Sequence, residues 1–119
     1  MWSVHASIVA SFETMDEPFG MQVRFTAHPG KGHEFVALLR DAATDLEDFE
    51  ACLLYLVSQE ADNPDSVWVS EVWVDNESHA ASLEHPHVRA VIERALPLLA
   101  GPPEALHLVP AGGKGVRLP

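Results

Sequence analysis

The chain has little cysteine and little positive charge. Cys52 is its one cysteine in 119 residues, so an intramolecular disulfide is excluded and a reducing, cytoplasmic setting is expected. Seven basic residues stand against 18 acidic ones, a formal charge of −11. A surface of that sign repels phosphate backbones and anionic lipid, so neither nucleic acid nor a membrane is an expected partner. No apolar run approaches the roughly 20 residues of a membrane span. Residues 1–12 show no basic leader ahead of a continuous apolar core, so no secretory signal is expected. The common catalytic signatures are missing as well. There is no Gly-x-Ser-x-Gly elbow and no dinucleotide fingerprint, and Gly112-Gly113-Lys114-Gly115 lacks the spacing and the Ser/Thr of a phosphate loop. No Cys pair, carboxylate pair or His-x-x-x-His spacing accompanies His28, His85 and His87, so no metal site is expected.

What is present is a clear alternation of periods. Residues 1–18 read as an N-terminal extension, either a pairing arm or a disordered leader, because Pro18 and Gly20 break the strand-like run over 4–12. Met21, Val23, Phe25 and Ala27 then alternate with Gln22, Arg24 and Thr26, which predicts a strand. His28-Pro29-Gly30-Lys31-Gly32 predicts a turn. Phe35, Leu38, Leu39, Ala42 and Leu46 recur at helical spacing. Residues 52–59 form a near-continuous apolar run, expected of a strand buried on both faces, with Cys52 an inert core residue in it. A loop over 60–66 is expected to join that strand to another over 67–74. A short helix is predicted over 78–84, with Asn76 or Ser78 as its N-cap. Pro86 suits a first helical position, and Val88, Val91, Ile92, Ala95 and Leu96 form the stripe behind it. Pro97 and Gly101-Pro102-Pro103 end that helix, and a last strand is predicted over 106–109. Residues 112–119 read as a flexible tail, leaving 19–111 as one domain. The order is β-α-β-β-α-β, an α+β ferredoxin-like antiparallel sheet with helices on one face. The other face would leave apolar side chains in water, so a second copy is expected to cover it.

The most informative stretch is 67–99. A β-branched and aromatic run ends in Glu71-Val72-Trp73-Val74, an acidic turn follows from Asp75 through Ser78, and His79, His85 and His87 cluster before an apolar-faced helix. A bulky aromatic at a strand end, beside groups that titrate near neutral pH, suits a small pocket for a ring-shaped ligand. With Glu71 and Trp73, the Asp75 turn, and Pro86 and His87 in these places, the chain resembles the antibiotic biosynthesis monooxygenase (ABM) family of dimeric α+β barrels over about residues 19–114.

That resemblance implies a homodimer and a cofactor-independent monooxygenase that oxidises a small aromatic quinol or polyphenol with O₂. The alternative is a non-catalytic or isomerase-like dimeric α+β barrel that binds a small metabolite, because fold does not fix function. Oxygenation without metal or flavin needs a dry slot, a proton acceptor and donors for developing negative charge. Trp73, His79 and His87 are the candidate catalytic residues. Trp73 matches the family Trp at the end of the third strand, where the ring either stacks on substrate and donates its N–H or anchors strand to helix. His79 stands where one polyketide-oxidising member carries a Tyr, and both side chains exchange protons. His87 matches the family's Pro-His. Arg24, Phe25, Tyr55, Trp68 and Leu83 are the candidate substrate contacts, with core packing as the other role for the bulky ones. The polyketide-oxidising member also has an Asn at the position of Val69 and an Arg near Ile92, types this chain lacks there. In relatives that bind haem, the ligand-type positions correspond to Phe25, Ser82 and Ile92, none of which suits haem.

Overall fold

Strand β3 sets the frame, because Val67, Val69 and Trp73 of its inward series are almost fully buried, with Glu71 in the same series, while Trp68, Ser70 and Val72 face the other way. The computed structural model describes residues 17–119. In it β1 (Phe19–Thr26), β2 (Cys52–Glu60), β3 (Asn63–Trp73) and β4 (Glu104–Leu108) form one antiparallel sheet in the order β2-β3-β1-β4. Helix α1 (Gly32–Asp45) follows β1, and α2 (Asn76–Ser82) and α3 (Pro86–Ala95) lie between β3 and β4. This is the expected ferredoxin-like α+β arrangement. Residues 1–16 of the expected N-terminal extension lie outside the described residues. Residues 112–119 carry no helix or strand. Among the described residues no helix is long and apolar enough to cross a membrane.

The core lies between the sheet and its helices. Phe35, Leu38, Leu39 and Ala42 of α1 meet Val67 and Val69 of β3 and Val91 and Ala95 of α3. A second cluster joins Leu46, Trp73 and Val88. The α1 stripe is the one its sequence period dictates, apolar residues at three- and four-residue steps sharing a face buried against the sheet. In α3 only Val88, Val91 and Ala95 of the expected stripe are buried, and Ile92 and the following Leu96 stand exposed.

Three local expectations are corrected. The hairpin between β2 and β3 is tight, with Asn63 already paired to Glu60, so 63–66 is strand rather than loop. Pro64 is tolerated there because its carbonyl accepts from the Gln59 side chain, and the Asp65 carboxylate turns outward to bond the Gly30 and Gly32 N–H groups. The N-cap of α2 is Asp75, whose Oδ1 accepts from the Ser78 N–H at 2.7 Å. Asp accepts that bond in the extended conformation that Asn76 and Ser78, already helical, have left. Finally β2 is an edge strand with Leu56 exposed, so its apolar run faces the core on one side only.

Candidate active site

Three strands and three helices enclose a cavity of about 170 Å³. Phe25, Tyr55, Glu71 and Trp73 line it from the sheet. Phe35 and Leu39 come from α1, His79 and Ser82 from α2, and Val88, Val91 and Ile92 from α3. The wall is overwhelmingly apolar, and one acid–base pair breaks it. Register explains how: Tyr55, Glu71 and Met21 lie abreast across β2, β3 and β1, so period two points Glu71 inward with Val69 and Trp73.

The Glu71 carboxylate accepts a hydrogen bond from the Trp73 Nε1–H at 3.0 Å. Its same oxygen lies 3.6 Å from Nε2 of His79. That distance is within ion-pair range and longer than a hydrogen bond. The two side chains are 12% and 14% exposed. Asp75 fixes the first turn of α2 and so the approach of His79. The His79 ring stacks on Phe19 at 4.9 Å and meets Trp73 edge-on at 5.5 Å.

Burial raises the Glu71 carboxyl above the ordinary carboxylate range, partly restrained by the Trp73 N–H. Burial lowers the His79 imidazolium, and neighbouring His107 adds to that. Both groups are therefore driven toward their neutral forms, which is how a dry site moves a carboxyl and an imidazole toward each other in proton affinity. Tyr55, also in the wall, is pushed up by burial and then by Glu71, so its phenol keeps its proton.

Residues 18–94 match the family described as antibiotic biosynthesis monooxygenase (ABM). A protein of Chloroflexus aurantiacus bearing the antibiotic biosynthesis monooxygenase name is 36% identical, covering 84% of this chain and 99% of its own, with a TM-score of 0.77. The chain belongs to the ABM family. More distant ABM-named proteins share its fold. One from Caulobacter crescentus is 17% identical over 91% of this chain and 99% of its own, TM-score 0.78. One from Nitrosomonas europaea is 15% identical over 82% and 93%, TM-score 0.76. A search of curated proteins finds no match.

Set on this ABM fold, the residues singled out from sequence divide into two groups. Trp73, His79, Phe25, Tyr55 and Leu83 line the cavity together. The Trp73 N–H is engaged by Glu71 rather than free for a ligand. His87, Arg24 and Trp68 lie elsewhere. His87 is 72% exposed on the first turn of α3, 3.8 Å from the Asp45 carboxylate. The buried stripe of that helix runs through Val88, Val91 and Ala95 and leaves His87 beside it. Arg24 and Trp68 pair with each other across β1 and β3 on the opposite sheet face. There Glu60 accepts from the Trp68 indole at 3.0 Å and from the Ser66 hydroxyl, and pairs with Arg24 at 3.3 Å. These bonds, Ser66 first, hold the Glu60 carboxyl below the usual range. Glu71 entered the sequence reading only as part of the Glu71–Trp73 strand end and was given no role in the site. Its signal was the alternation itself, since it is the lone carboxylate in the inward series Val67, Val69, Glu71, Trp73. Cys52 carries a neutral thiol, pushed up to about 11 chiefly by burial.

Proposed function

We propose that this protein is a cofactor-independent monooxygenase that oxidises a small aromatic quinol or polyphenol with O₂, working in the cytoplasm as a homodimer. The observation that carries the reading is the Glu71–His79 pair set beside Trp73 in a mostly apolar cavity. A quinol hydroxyl gives its proton to this pair, and the resulting phenolate hands one electron to O₂. Radical recombination at a ring carbon gives a peroxide, which takes the proton back and loses water. The sum is quinol plus O₂ to hydroxyquinone plus water: one oxygen atom enters the ring, the other leaves as water, and the quinol supplies every electron. Burial serves this chemistry twice. It tunes the pair toward neutrality before substrate arrives, and it strengthens the field of the imidazolium on the developing anion.

Membership of the ABM family and the names of its structural neighbours support the monooxygenase class; the quinol rests on the chemistry of the pair. Oxygen uptake with a panel of hydroquinones and polyphenols tests it. The expected result is uptake that requires the folded protein and falls by roughly 10²- to 10⁴-fold in His79→Ala, the range for loss of a general base. Trp73→Phe should lower it as well, by releasing the Glu71 carboxylate from its indole. Ring ligands that bind without any O₂ uptake would favour the other reading, an isomerase-like or non-catalytic barrel for a small metabolite.

A further inference from the structure

The cavity is chemically two-ended. Glu71, Trp73 and His79 sit where β3 ends, whereas Phe25 pairs with Val67 four residues earlier on the same strand, roughly 13 Å away at the strand rise. Leu99, bridged to Ala27 just beyond Phe25, belongs to that far end, and Leu96 precedes it by one 3₁₀ turn. Among the described residues, Glu71, His79 and Tyr55 are the ionisable side chains that line the wall.

Size makes the same distinction. A cavity of about 170 Å³ is close to the ~150 Å³ apolar cavity that takes up a single benzene ring. One ring therefore fills the enclosed part. Yet three large aliphatic residues line the cavity while standing well exposed at its mouth: Leu96 at 58%, Leu83 at 42% and Ile92 at 37%. Leucine and isoleucine kept in water beside a ring-sized hollow form an apolar rim continuous with it, and such patches mark contact with something apolar.

We infer that the ligand of this cavity is a one-ring phenol or quinol bearing an alkyl chain, with its hydroxyl at Glu71 and His79 and its chain lying along Leu83, Ile92 and Leu96. This inference rests on the reading of the cavity as a ring-binding site and adds the aliphatic substituent to it. The rim then contributes affinity by apolar burial, and bulk beyond one ring is directed outward along it rather than into the core.

The test is anaerobic calorimetric titration with hydroquinone and its methyl, propyl and pentyl derivatives, so that binding is read apart from oxygen chemistry. The expected result is a Kd that tightens about three- to fourfold per added CH₂, the increment of apolar burial. In Leu96→Ser and Ile92→Ser, both at exposed positions, that slope should flatten. A flat slope in the unaltered protein overturns the inference, even if unsubstituted hydroquinone is oxidised and the monooxygenase reading stands. A steep slope with no O₂ uptake sustains the inference and removes the oxygenase. An unchanged slope in both variants overturns the assignment to this rim. So does a Leu96→Ser protein that changes its assembly state in sedimentation while its slope stays steep, since the rim would then be a protein contact.

Discussion

Glu71 and His79 are both held away from charge by burial, and their effects on stability run in opposite directions with pH. For Glu71 the folded carboxyl is raised above the ordinary 4.5. Between that value and the raised one, the folded chain keeps a proton that the unfolded chain has released, so rising pH weakens the fold. For His79 the folded imidazole is lowered below 6.5. Below that value the unfolded chain takes up a proton that the folded chain refuses, so falling pH weakens the fold until the lowered value is passed. Glu71→Gln removes only the first effect and keeps an oxygen for the Trp73 N–H. Its melting temperature relative to the parent protein is expected to improve between pH 4 and pH 8. Thermal melts across that range check it, and a difference that stays constant with pH would remove the claim that this carboxyl is strained by burial. At this scale the sequence was half legible. Trp73 and His79 announce themselves as an aromatic and an imidazole at a strand–helix join. Glu71 stands out less, because a carboxylate in a strand normally points to water; the alternation puts it in the inward series, and the burial of its neighbours shows that series facing the core. His87 misleads for the converse reason: Pro86 fixes where α3 starts, but not which way the first turn faces.

Between elements, the tightest joint is where α1 leaves the turn after β1 and crosses the β2–β3 hairpin. Asp65 accepts from the N–H groups of Gly30 and Gly32 at 3.0 and 2.8 Å, and those two bonds lower its carboxyl. Gly30 turns the chain at a φ of +82°, a conformation that favours glycine. Gly32 opens α1 so close to the hairpin that a Cβ there would lie 2.0 Å from the Pro64 carbonyl oxygen. Gly32→Ala must therefore push helix and hairpin apart. The expected cost is about 1–3 kcal/mol, as at other overpacked sites, read as a lower denaturation midpoint with unchanged m. A midpoint equal to that of the parent protein would mean the hairpin gives way freely. The elements on either side of this joint were legible from period alone, since Met21, Val23 and Phe25 alternate and Phe35, Leu38, Leu39 and Ala42 step by threes and fours. The joint itself was not. Pro64 looks like a strand breaker, and it reads as strand only once Gln59 and Asp65 are seen to hold the backbone around it.

At the scale of the whole molecule, the sheet face turned away from the helices is organised in three rows. Leu54, Val72, Gly20 and Leu108 lie abreast, then Leu56, Ser70, Gln22 and Leu106, then Ser58, Trp68, Arg24 and Glu104. The first row is apolar, the second has exposed leucines at both edges around a Ser70–Gln22 hydrogen bond of 2.9 Å, and the third carries Arg24, ion-paired to Glu104 in the same row and to Glu60 at the hairpin. A second copy of the chain would match such a face: a two-fold axis would lay apolar row on apolar row and leave the charged cluster at the margin. None of these residues lines the cavity, so each protomer would keep its own site. On that argument the protein should sediment at twice the mass of a 13.0 kDa chain. Leu56→Glu combined with Leu106→Glu should return it to a single chain, because carboxylates replace the leucines at both edges of the middle row, on a protein whose charge is already −11. If the unaltered chain runs as a monomer, the bare sheet face has another purpose. If the double variant still runs as a dimer, the two copies meet elsewhere, and the exposed rim of the cavity becomes the next surface to examine.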